Sequence, residues 1–159
     1  MKKRRIINAL VFALSVAAVA CSSKVMPGVY SGYVRYSNES PTGTVSLVST
    51  GFGKNKVESS ADAVTNAFYQ LLFRGIPGSQ YELPMVNNES DKKNDPVIKT
   101  LLNGGYSSFV MENQLQSEEE KIKKEDGVKG RMTTHKITIN CDALRRYLEQ
   151  NNVIRKFGY

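Results

Sequence analysis

Tryptophan is absent from the 159 residues, histidine occurs once, at position 135, and cysteine twice, at 21 and 141. Each scarcity excludes something. One histidine and two cysteines are too few for the Cys/His sets of structural zinc sites, so no metal or other cofactor is expected. Two cysteines allow at most one disulfide, and none if Cys21 is used otherwise. Apolar runs are short: the longest, residues 6–20, contains Asn8 and Ser15, against the ~20 apolar residues that a membrane-spanning helix needs. An excess of positive charge is lacking once its location is noted. Four of the 22 basic residues lie at positions 2–5, and the remaining 18 stand against 15 acidic residues, a net charge of +3. No basic stripe is left over for nucleic acid, which is not an expected partner.

What is present begins with residues 1–21, MKKRRIINALVFALSVAAVAC. Lys2, Lys3, Arg4 and Arg5 form a charged start, an apolar stretch follows, and the small residues Ala18, Val19 and Ala20 lead into Cys21. This is the layout of a secretory signal. The cysteine directly after the small residues resembles the bacterial lipoprotein signal. That resemblance implies a signal peptide over 1–20, lipid on Cys21 as the first mature residue, and attachment to the membrane through that lipid. Ser22 after the cysteine resembles lipoproteins sent on to the outer membrane. Residues 21–43 read as a tether rich in Ser, Gly, Pro and Asn. Tyr30, Tyr33 and Tyr36 within it are the candidate ligand contacts, for a glycan or a partner.

Residues 44–159 read as one domain, long enough for an ordinary core. Thr44 to Thr50 is β-branched and alternating, which predicts a strand broken by Gly51-Phe52-Gly53. Asn55 and Glu58 have capping-box spacing. Val57, Ala61, Val64, Phe68, Leu71 and Leu72 then recur at threes and fours, predicting a helix of about 18 residues that stops at Gly75 before Pro77. The segment Gly51 to Lys54 between strand and helix invites a phosphate-loop test and fails it. Lys56 stands where the dinucleotide pattern needs its third Gly, and Asn55 where the P-loop needs Ser or Thr.

Residues 76–94 read as a long surface loop, and Asp95-Pro96 as the start of a short helix. Phe109, Met111 and Leu115 share one period-2 face, and 132–139 alternate clearly, so 106–140 predicts a long hairpin turning at Asp126-Gly127, with a helix over Gln114 to Lys124 as the alternative, given its high helix propensity. Glu118, Glu119 and Glu120, with Lys121, Lys123 and Lys124, read as a charged edge that discourages sheet pairing. His135 has no recognisable triad around it. Asn140 caps a last helix with Leu144, Tyr147 and Leu148 as its stripe, and Cys141 reads as a small packed residue. Arg145, Arg146, Arg155 and Lys156 make the C-terminal end locally basic.

The expected fold is α+β: a small antiparallel or mixed sheet of about three strands with a long C-terminal hairpin and two main helices on one face, to which strands from the tether can add. The order strand, glycine-rich turn, Ala-rich helix, hairpin, helix over 44–152 resembles small envelope modules such as the N-terminal domain of flagellar assembly T-type proteins. With no catalytic residue set, the expected function is that of a non-enzymatic adaptor or assembly component of the cell envelope, contacting another envelope protein. A cell-wall or glycan module is the alternative. A hydrolase is the third reading, with His135 and Cys141 its only candidates.

Overall fold

The structure, a computed structural model, describes residues 24–25, 34–37, 40–123, 127 and 129–156. In chain order these form β1 (Lys24–Val25), β2 (Val34–Tyr36), β3 (Thr44–Gly53), α1 (Lys56–Phe73), α2 (Glu89–Lys92), α3 (Pro96–Leu102), a 3-10 turn (Gly105–Phe109), β4 (Val110–Lys123), β5 (Lys129–Asn140) and α4 (Cys141–Gln150). The class is α+β. Four antiparallel strands run in the order β4-β5-β3-β2, and the two-residue β1 joins the outer end of β4 in parallel. The sheet is therefore wider than the three strands expected. The additions come from the stretch ahead of Thr44, where Val34 to Tyr36 pairs with Ser49 to Leu47.

β3 does not stop at Gly51. It continues through Gly53 and pairs with β5 along its whole length, from Thr44↔Asn140 to Gly53↔Arg131. The glycines have a packing reason. A Cβ on Gly51 would overlap the Ala63 amide nitrogen and the Ser59 carbonyl oxygen of α1, and one on Gly53 would overlap the Glu58 side chain and the Ser59 amide. Helix and strand touch backbone to backbone here, which only glycine permits. Ser49 Oγ donates to the Ala63 carbonyl at 2.6 Å, which adds a polar tie to the same contact.

α1 has the predicted length and caps. The Glu58 amide donates to Asn55 Oδ1 at 2.9 Å, and Gly75 takes a left-handed φ of 74° just past the last turn. Its first two turns face differently from the expected stripe. Val57 is 79% exposed and Ala61 is exposed, while Ser59 and Ala63 are buried against the glycines of β3. From Val64 on, the apolar stripe meets Val45, Leu47, Ile137 and Ile139 of the sheet in one core. α4 closes that core from the same side with Leu144 and Leu148, capped by Asn140 accepting from the Ala143 amide.

Two further readings are corrected. Part of the 76–94 segment is packed rather than a free surface loop: Ile76, Met85 and Val86 are buried, and the Met85 and Val86 amides donate to the Leu71 and Leu72 carbonyls at the end of α1. Those carbonyls have no partner within a helix, so a neighbouring segment can pair with them. Phe109 does not share a strand face with Met111. It ends the 3-10 turn and packs into the core, and a register shift between Val110 and Glu112 leaves Met111 60% exposed.

Candidate functional site

The least enclosed element is β4. Residues 111–117 are exposed at every position, on both faces of the strand. On one side β4 pairs with β5; on the other, among the described residues, only Ile122 and Lys123 are paired, with β1. Among the described residues the outward N–H and C=O groups before them have no strand partner, and such an edge is one that an extended chain can extend. Register shifts at Val110/Glu112, Leu115/Ser117 and Glu119/Ile122 divide this edge. Between the first two lies one regular run, Glu112 to Leu115, opposite Thr138 to His135. Met111 and Leu115 bracket it with exposed apolar surface.

The acidic stretch beyond is engaged inside the domain. Glu118 meets Lys56 at 2.9 Å and Arg131 at 2.8 Å, and Glu120 meets Arg131 at 3.0 Å. Lys56 and then Arg131 hold the Glu118 carboxyl below its ordinary value of 4.5. Glu118 and Glu120 lie on the α1 side of the sheet, so these charges tie this part of β4 to β5 and α1.

His135 stands opposite Leu115 but beneath α1, 5% exposed. Asn113 Oδ1 lies 2.7 Å from its Nδ1, which makes Nδ1 the protonated nitrogen and leaves Nε2 a bare acceptor. Among the described residues, His135 Nε2 and Thr133 Oγ1 are buried side-chain atoms without a hydrogen-bond partner. Burial first, and then the nearby Lys56 ammonium, lower the imidazole pKa below 6.5, so the ring is neutral. Cys141 is 1% exposed, and burial pushes its thiol up to about 12, which keeps it out of the reactive thiolate form. Six residues of extended chain, roughly 20 Å, separate it from His135. The two hydrolase candidates are thus enclosed and apart.

The phosphate-loop position is also occupied. Glu58 Oε2 accepts from the Lys54 amide at 2.9 Å, and its other oxygen from the Asn55 side chain, so a carboxylate already sits where an anion would go. Among the described residues, no three His, Cys, Asp or Glu side chains gather to hold a metal ion. No helix among them is long and apolar enough to cross a membrane. Tyr36 is half-buried and its side chain packs on the core beside Val34. Cys21, Tyr30 and Tyr33, like the expected turn residue Asp126, lie outside the described residues.

A second surface feature was not foreseen as a unit. The 79–88 segment, α2, Arg145 and residues 152–156 enclose an open cleft of about 1570 Å³. Its lining includes Lys92, Arg145, Arg155 and Lys156 against one acid, Glu82. Basic residues at the C-terminal end were visible in the sequence, but Lys92 and the loop that faces them were not linked to it. No family model matches this chain, and neither a curated protein nor a solved structure does.

Proposed function

We propose that the chain is a lipid-anchored envelope protein, held to the membrane through Cys21 and directed to the outer membrane, that works as a non-enzymatic adaptor by adding an extended segment of another envelope protein to its sheet. The observation that carries the contact is the β4 edge, with residues 111–117 exposed on both faces and the outer main-chain groups unpaired among the described residues. Main-chain hydrogen bonds would supply affinity, and Met111 and Leu115 the apolar anchors at either end of the regular run. The anchoring half of the reading is supported by the signal-like residues 1–21 alone.

A photo-crosslinking amino acid at 111 or 115 in the full-length protein, irradiated in intact envelopes, is expected to yield a discrete adduct. The same probe at Lys99 on α3 is expected to yield none. Absence of an adduct from either β4 position, with the protein folded and present, rejects the adaptor reading. Mass spectrometry of the mature N-terminus checks the anchor separately, and an unmodified Cys21 rejects that half.

A further inference from the structure

The cleft beside α2 gathers four basic side chains against one acid. Lys92 comes from α2, Arg145 from α4, and Arg155 and Lys156 from the segment after it. Lys92, Arg155 and Lys156 have no acidic side chain within ion-pair distance among the described residues, in contrast to Lys56, Arg74 and Arg131. Convergent cations around a concave surface are a receptor for a phosphate-bearing anion. Asn88 and Asn152, which both line the cleft, are the two non-glycine residues with left-handed backbone among those described. Val153 is buried, and its amide donates to the Leu148 carbonyl at the end of α4.

The lip of the cleft narrows the class of anion. Leu83, next to Pro84, is 80% exposed, the most exposed large apolar residue among those described. An exposed apolar side chain that lines the same cleft as these cations suits a membrane interface, where the side chain enters the headgroup–acyl boundary and the cations meet phosphates. We infer that this cleft binds the phosphate headgroup of an anionic phospholipid, with Leu83 entering the bilayer surface. Contact through the cleft is independent of the lipid on Cys21 and of the β4 edge. It would place the 79–88 and 152–156 face of the domain against the membrane.

The absence of tryptophan makes a direct test available. The full chain carrying Leu83→Trp has a single indole at the lip. It is added to vesicles of phosphatidylcholine alone and of phosphatidylcholine with phosphatidylglycerol. A blue shift of the indole emission is expected with the anionic vesicles only. Adding Lys92→Gln, Arg155→Gln and Lys156→Gln is expected to abolish it, with far-UV circular dichroism unchanged; single substitutions serve if the combination does not fold. No shift on anionic vesicles, an equal shift on both vesicle types, or a shift that survives loss of the three cations overturns the inference. Millimolar inorganic phosphate without vesicles is expected to leave the emission unmoved. An equivalent response to it would assign the cleft to a soluble phosphate and reject the lipid.

Discussion

His135 and Thr133 sit two positions apart on one face of β5, both buried, each with a polar atom unpartnered among the described residues. Such atoms lose hydration on folding without a protein hydrogen bond in return. Replacing Thr133 by the isosteric Val removes the hydroxyl and keeps the volume, and is expected to stabilise the fold by about 1 kcal/mol in urea denaturation. The histidine sets a pH dependence whose sign follows from its lowered pKa. The unfolded chain takes up a proton near pH 6.5, while the folded chain resists it because burial and Lys56 disfavour the cation. Stability from this group is therefore full above about pH 6.5 and is lost as the pH falls from there through the lower folded value. Melting temperature is expected to drop between pH 7 and 5 in the parent protein and to drop less in His135→Gln. Cys141, buried with its thiol at about 12, is expected to resist a thiol reagent at pH 8 until denaturant is added.

At the scale of elements, α1 and its caps were legible because their signals are local: Asn55 and Glu58 at the start, Gly75 at the end, and apolar residues at helical spacing between. β3 was cut short at Gly51 because glycine reads as a strand breaker in isolation. Its purpose lies in a partner, the α1 backbone, ten or so residues further on. Gly51→Ala is expected to destabilise by about 3 kcal/mol, since the obstacle is helix backbone that cannot rotate away. The midpoint in urea should fall, with the slope retained. The same dependence on a partner hid Ser59 and Ala63 as the contact face of the first turns. It also hid the packing of Met85 and Val86, whose amides are captured by carbonyls at the end of α1. The hairpin was legible from alternation in 132–139. The register shifts along β4 were not, because no residue type announces them.

For the whole molecule, the α+β arrangement with both main helices on one face followed from the order of elements. The two surface features were legible to different degrees. The β4 edge was visible in part, as a polar and acidic strand. The cleft was not, because it joins residues 79–92 to 145–156, more than fifty positions apart. An open edge is also a liability. Glu112→Val with Gln114→Val, in the regular run from Glu112 to Leu115, is expected to shift the protein toward larger species than the parent in sedimentation velocity.

The join between β5 and α4 carries a mechanical consequence. Asn140 is the last residue of the strand and the cap of the helix, and Cys141 is already helical. No linker intervenes, and the Cys141 and Asp142 amides both donate to the Gly43 carbonyl. Strand and helix therefore form one stiff lever. Its strand arm lies against β4, and Arg145 on its helix arm reaches the cleft. The strand that pairs with β4 and the helix that lines the cleft are thus joined without a spacer, and both meet at one carbonyl, that of Gly43.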